Sequence, residues 1–419
     1  MPYKKLTTEL KNLISQEEDR QNTQLQLIPS ENHVSKDVRE AVGSVLMNKY
    51  SEGAAGKRYY QGNHIIDDIE FLVKKAALDL FDLDPNQWGV IVQAATGSIA
   101  NLAVTTGLLE TGSRVLSMHL YDGGHLSHGW KLPDGKKVTI SSKLFESYFY
   151  MVDPDTQRFD YGKVQKRAEE VQPKMIISGG TAYPRTIDHE RMKQIAQSVG
   201  AYYLADVAHE AGLIAGKAYP SPFPFADVVT MTTRKTLRGP VGAIIFARKE
   251  LIGQIESALF PGIQGGPLNH SIAGIGIALA EAMKPEFKDY AAQVIKNAQA
   301  MANKLQELGY HVVSGGTDKH LLLLDLRNKE ISGTVAALAL EKANLIVNKN
   351  TVPNDTGKPW NPSGIRLGTP AITTRGMKEQ EAEKIALWIH EALENRDETS
   401  VLEKIGKAVT ELAKKFPIP

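Results

Sequence analysis

Three short segments place reactive or ligand-holding side chains beside apolar runs. Thr96-Gly97-Ser98 lies between the apolar run Val90–Gln93 and a helical stretch reaching Leu109. Backbone N–H groups at a helix N-terminus, with two hydroxyls beside them, suit a phosphate. Read alone, the same turn is more simply a capped helix start. Ala205-Asp206-Val207-Ala208-His209 ends a buried strand in a carboxylate, and ligands of open α/β sheets collect at the carboxyl ends of strands. A carboxylate there also serves as the cap of the next helix. Thr230-Met231-Thr232-Thr233-Arg234-Lys235 is a further strand end, finishing in a lysine and followed by Thr236-Leu237-Arg238-Gly239-Pro240. Each segment has an ordinary structural explanation. Taken in order, they supply a phosphate anchor, a partner for a protonated pyridine nitrogen and an amine that makes an imine. Pyridoxal 5′-phosphate (PLP) needs all three. Lys235 is therefore read as the lysine that holds PLP as a Schiff base, and Asp206 as the carboxylate that makes its ring a better electron sink.

The surrounding pattern is what would position them. Strand candidates at Arg114–Met118, Lys174–Ser178, Tyr202–Ala205, Asp227–Thr230 and Gly242–Phe246 alternate with helical stretches, the signature of βαβ units and a mostly parallel sheet flanked by helices. One helix follows Asp188 as N-cap, sets Met192, Ile195, Ala196 and Val199 on one face, and stops at Gly200. Near residue 280 the texture changes. A long helix carrying Val294, Ala298, Met301, Leu305 and Leu308 stops at Gly309, and strands are expected at His311–Ser314, His320–Leu326 and Leu345–Val347. The expected organisation is an N-terminal arm over residues 1–50, a large PLP-binding α/β domain over 51–280 and a small C-terminal α/β domain over 281–419. Leu6, Leu10, Leu13 and Ile14 recur at helical spacing in the polar start of the chain. A helix of that kind has no core of its own and should pack elsewhere, a partner subunit included.

Bulk properties exclude other classes. The 419 residues include 49 basic and 48 acidic side chains, so the chain has no general attraction for nucleic acid or an anionic membrane. With no cysteine, disulfides, thiolate metal sites and a cysteine nucleophile are ruled out, and no metal site is expected. No stretch approaches the ~20 apolar residues of a membrane span; a cytoplasmic enzyme is expected.

Over roughly residues 5–395 the chain resembles the serine hydroxymethyltransferase family, PLP enzymes of the aspartate-aminotransferase fold type (fold type I). The resemblance is carried by Leu27–Asn32, Asn48–Gly53, Gly56–Tyr60, Gly123–Gly129, Asp206–His209, Lys235–Pro240, Phe260–Pro267, Val347–Asn350 and Ser363–Arg366. It implies reversible transfer of the serine hydroxymethyl group to tetrahydrofolate, giving glycine and 5,10-methylenetetrahydrofolate. Lys235 would exchange its imine for the substrate amine. Thr96, Gly97 and Ser98 would hold the phosphate, and His125 would stack on the ring. Thr181 and His209 would lie near the phenolic oxygen. Tyr50, Gly265 and Gly266 would reach the cofactor from a neighbouring subunit, implying a homodimer or a dimer of dimers. Arg366 would clamp the substrate carboxylate, helped by Ser30. Glu52 would handle a proton at the substrate hydroxyl or folate, and Tyr60 would lie near the reacting amine. The pteridine would meet Leu120, Gly124, Leu126 and Asn350, Tyr59 and Tyr60 would line the mouth, and Glu52 and Tyr59 would count among the folate-binding residues.

The chain departs from the family at two informative positions. Arg234 stands where a histidine usually precedes the lysine, and Val241 where an arginine is frequent. A guanidinium stays charged and adds five donors, whereas imidazole can be neutral and shuttle a proton. The two changes read together as one guanidinium lost and another gained nearby, and they bear on the choice of amino acid, with Arg234 counted among the catalytic candidates. Ala94, Ala95 and Ile99 are smaller departures around the phosphate turn. Two rivals stay open at this level: a folate-independent aldolase or transaldolase acting on other β-hydroxy or α-substituted amino acids, and a PLP-binding scaffold without turnover.

Overall fold

The structure, a computed structural model, describes residues 3–132, 134–358 and 360–419. Its centre is a seven-stranded sheet. In chain order the strands are β1 (Trp88–Ile91), β2 (Arg114–Met118), β3 (Glu146–Tyr150), β4 (Met175–Ser178), β5 (Tyr202–Asp206), β6 (Val228–Thr232) and β7 (Ala243–Arg248). They lie side by side as β1-β7-β6-β5-β4-β2-β3. Strands β2 to β6 are mutually parallel, and β7 runs antiparallel to both β6 and β1. Strands β4 and β5 are almost continuously buried, as a sheet covered by helices on both faces demands. The parallel strands end at one edge, so Met118, Ser178, Asp206 and Thr232 open onto the same side.

Several boundaries differ from the sequence expectation for identifiable reasons. β1 begins two residues early and excludes Gln93, whose side-chain amide donates to both oxygens of the buried Glu70 at 3.1 and 3.0 Å. β3 was not anticipated, because its mixed polar and aromatic residues at the sheet edge form no apolar run. The helix after Asp188 is as expected: Asp188 Oδ1 accepts from Arg191 N at 3.0 Å, and Gly200 takes a left-handed φ of 64°.

A second, four-stranded sheet contains β8 (His311–Val312), β9 (Leu321–Asp325), β10 (Asn348–Asn350) and β11 (Gly364–Gly368), ordered β8-β9-β11-β10 and antiparallel throughout. β8 stops short of Ser314, which takes φ 60° in a tight turn. The helix Pro285–Glu307 serves both cores. Its Phe287, Tyr290 and Val294 pack with the large sheet, while Met301 and Leu305 pack with Leu322, Leu324, Ile365 and Leu367 of the small one. The arm is tied to the small core by Leu25 and Leu27 and by pairing of Leu25–Gln26 with Leu345–Ile346. Its helix, Tyr3–Thr23, leaves Leu6, Leu10, Leu13 and Ile14 between 48% and 69% exposed. No helix among the described residues is long and apolar enough to cross a membrane.

Candidate active site

Eleven of the residues singled out from sequence line one cavity of about 340 Å³ at the carboxyl edge of the large sheet: Ser30, Thr96, Gly97, Ser98, His125, Thr181, Asp206, His209, Arg234, Lys235 and Arg366. Val241 lines it as well, so the two positions singled out as departures from the expected pattern share one cavity. The helix Gly97–Leu108 starts at this cavity, capped by Thr96, whose Oγ1 accepts from Ile99 N at 3.3 Å. The cap and the anion-binding readings of this turn are thus compatible: the hydroxyl takes one N–H and the other first-turn donors stay available. Glycine is required at position 97 because a Cβ would lie 2.7 Å from Thr232 Cγ2 at the end of β6.

Asp206, the last residue of β5, is buried and fully engaged. Its Oδ2 accepts from Asn101 Nδ2 at 2.7 Å and His128 Nε2 at 2.9 Å, and its Oδ1 accepts from Ala208 N at 3.0 Å. Burial alone would raise this carboxyl. The hydrogen bond and charge of His128, then His125 and Asn101, outweigh it and hold Asp206 well below the usual carboxylate range. It is an anion at every working pH and suits a protonated pyridine nitrogen. Asn101 and His128 were not assigned roles from sequence. Asn101 is a buried amide one turn into a helix whose other buried residues are Ala100, Ala103, Val104 and Thr105, and an amide among these small side chains was the available signal. In Asp206→Asn one oxygen becomes a donor facing donors. With each charged hydrogen bond worth about 1.5–3 kcal/mol, cofactor retention is expected to fall about 10- to 100-fold, as read by equilibrium dialysis.

The histidine and lysine states follow from the same geometry. His125 Nδ1 accepts from Ser127 N at 3.1 Å, and burial, with the nearby His128, Lys235 and Arg366, pushes the ring down to about 4. It is a neutral flat face. Thr181 donates through Oγ1 to Gly124 O at 3.1 Å. Asn32 fixes the backbone of the reactive lysine, Nδ2 donating to Lys235 O at 2.9 Å, and Thr236 Oγ1 donates to His209 O at 2.9 Å. Burial lowers the Lys235 ammonium to about 8; Asp206 opposes the shift, and Arg366 and Arg234 add to it. Only the free amine attacks a carbonyl. Capture of PLP by the apoprotein should therefore quicken about tenfold per pH unit up to about 8 and level off above it. Arg234→Gln removes one cation, so the midpoint should move upward, as stopped-flow absorbance would record.

Other expected residues do not line this cavity. Tyr50, Glu52, Tyr59, Tyr60, Gly265 and Gly266 gather elsewhere on the same chain. Tyr50 Oη donates to Glu52 Oε1 at 3.2 Å, Tyr50 and Tyr60 meet edge to face at 5.2 Å, and Tyr59 packs against Phe260 at 5.9 Å. A Cβ on Gly265 would lie 2.9 Å from Glu52 Oε1, and one on Gly266 would lie 3.3 Å from the Tyr50 ring. Tyr50, Tyr59 and Tyr60 are 55%, 74% and 46% exposed. The four pteridine candidates do not line the cavity either. Gly124 gives its carbonyl to Thr181, Leu120 and Leu126 belong to the short 3-10 turns on either side of it, and Asn350 ends β10, two residues beyond Asn348. Gly124 has its own structural reason, since a Cβ there would lie 2.2 Å from Met118 O.

The donor set fits PLP: free first-turn N–H groups, an ionised Asp206, a neutral His125, a lysine with a lowered pKa and a buried arginine. A sheet of this order, with these groups at its carboxyl edge, defines a PLP-dependent enzyme of fold type I. A family model for serine hydroxymethyltransferase matches residues 3–389. A serine hydroxymethyltransferase of Halorhodospira halophila is 50% identical over 98% of this chain and 96% of its own length. Relatives of the same name from Alkalilimnicola ehrlichii and Caenorhabditis briggsae are 49% and 46% identical, over 98% and 93% of this chain and 96% and 79% of their own lengths. The chain belongs to the serine hydroxymethyltransferase family.

Proposed function

We propose that the chain catalyses reversible transfer of the hydroxymethyl group of L-serine to tetrahydrofolate, giving glycine and 5,10-methylenetetrahydrofolate. The observation that carries this reading is the buried Arg366, which has no ion-pair partner among the described residues and faces the same cavity as Lys235 and Asp206, in a chain of this family. Bound PLP supplies the electron sink that lets the Cα–Cβ bond of the amino acid break. Arg366, with Ser30, orients the substrate carboxylate. Asp206 would accept a hydrogen bond from the protonated ring nitrogen, His125 would offer its neutral face to the ring, and Thr181 and His209 would serve the phenolic oxygen. Thr96, Gly97 and Ser98 would hold the phosphate, and Lys235 would be the amine that gives way to the substrate's amino group and takes its place back on product release. Glu52 moves the proton of the substrate hydroxyl, Tyr60 closes over the amine, and Tyr59, Leu120, Gly124, Leu126 and Asn350 border the folate.

The proposal includes a homodimer, alone or paired again, in which Tyr50, Glu52, Gly265 and Gly266 of one chain complete the cavity of the other. Support comes from their absence from the lining of the Lys235 cavity within one chain and from the exposed apolar residues of the same stretch, Val45, Met47, Ile65, Phe71 and Leu72, each more than half exposed. Two measurements test the reading. Purified protein should convert serine to glycine at a rate that depends on added tetrahydrofolate. Mixed and re-associated Lys235→Ala and Glu52→Gln chains should recover up to about a quarter of native activity, because half the dimers are hybrids with one intact site each. No recovery would place Glu52 in its own chain's site. Arg234 and Val241 on the cavity wall favour one alternative, folate-independent cleavage of larger β-hydroxy amino acids. Glycine release indifferent to tetrahydrofolate would select it.

A further inference from the structure

Behind the cavity two cross-links run side by side between the large and small cores. His209 Nδ1 lies 3.0 Å from His320 Nε2, with the rings stacked at 5.3 Å and tilted by 23°. On the adjoining residues, Glu210 and Lys319 form an ion pair whose side chains are only 3% and 0% exposed. Both segments are anchored: Thr236 Oγ1 donates to His209 O at 2.9 Å, Thr369 N donates to His320 O at 3.1 Å, and Lys319 N donates to Thr317 Oγ1 at 3.1 Å. Glu210 Oε2 and His320 Nδ1 have no hydrogen-bond partner among the described residues. A buried ion pair with an unsatisfied oxygen is a poor source of stability, since apolar replacements of similar volume are often as good or better. Its presence beside the cavity points to positioning.

We propose that the Glu210–Lys319 pair is a positioning device that holds the His209–His320 pair in one orientation and one tautomer at the wall of the Lys235 cavity. The proposal rests on the reading that this cavity binds PLP. Burial is the main reason both rings stay neutral, and the surrounding cations Lys235, Arg366 and Lys319 reinforce it. Two neutral rings in contact share one proton, so one must donate and the other accept. If His320 Nε2 donates, His209 keeps its own proton on Nε2, the nitrogen left to serve the cavity. Turning either ring breaks that arrangement, and the ion pair restrains both backbones one residue away.

The test uses the full-length holoenzyme. A single substitution would strand a buried charge, so the informative variant is Glu210→Met with Lys319→Met, which removes both charges at similar volume. It should fold and bind PLP. The pH midpoint of its visible absorption, recorded without substrate, should shift by at least about 0.5 unit. Serine turnover should fall about tenfold at nearly unchanged KM. The exchanged pair, Glu210→Lys with Lys319→Glu, should return both readouts toward native. A folded methionine variant with native midpoint and turnover would overturn the proposal, as would one that fails to fold, which would make the pair structural. A native protein showing no visible band with PLP would instead remove the cofactor reading, and this inference with it.

Discussion

Lys235→Ala is expected to lose at least about 10³-fold in serine turnover while the protein remains folded. The loss follows from chemistry at one atom. Lys235 is the one lysine among the described residues that line the cavity, held by Asn32 at its carbonyl and kept partly neutral by burial. Without it, PLP would be held by non-covalent contacts alone, and the amino acid would have no internal amine to exchange with on entry and departure. Stability should not suffer. Burial is the main force against its charge, and Asp206 and Glu210 on one side offset Arg366 and Arg234 on the other, so truncation removes a buried cation rather than a needed ion pair. The check is steady-state kinetics together with a thermal melt: lost turnover with a native or higher Tm supports the assignment, and retained turnover refutes it.

Arg366→Met should lower kcat/KM for serine about 10²- to 10³-fold, again without loss of stability. Arg366 projects from the middle of the small sheet, in register with Leu323 on one side and Asn348 on the other. Its Nη1 donates to Thr181 O at 2.5 Å and its Nε to Asn348 Oδ1 at 3.1 Å. Both partners are neutral, and no ion pair to it occurs among the described residues. Burial accordingly lowers the guanidinium to about 10. A buried cation without an anion is costly, and a substrate carboxylate offsets that cost only when bound. Methionine removes the unpaired charge, so the free protein should melt at the same or a higher temperature. A substrate analogue lacking the carboxylate completes the cycle: it should react poorly with native enzyme and no worse with the variant. Independent losses from the two changes would separate Arg366 from the carboxylate.

How much of this could be read beforehand depended on the kind of residue. Lys235, Asp206 and the Thr96–Ser98 turn were legible because each follows a short buried strand, and strand ends converge in a parallel sheet. Arg366, Ser30 and His125 had no such local signal and rested on resemblance. Their meeting with Lys235 is a property of packing, since β11 belongs to a different sheet from β6. Asn101 and His128 escaped because their role is to hold Asp206, and a buried hydrogen bond between distant residues leaves no spacing pattern. The ion pair of Glu210 with Lys319 is invisible for the same reason. β3 lacked an apolar run, and β8 was cut short by the left-handed Ser314. Tyr50, Glu52, Gly265 and Gly266 could be grouped from resemblance, but where they act depends on a second chain.

The central claim is that Lys235 is the residue covalently joined to PLP. Borohydride reduction of the holoprotein makes that bond permanent, and peptide mass mapping then locates it. The account predicts one phosphopyridoxyl group per chain, on Lys235. A label on any other lysine, or none after reduction of the yellow protein, would contradict it.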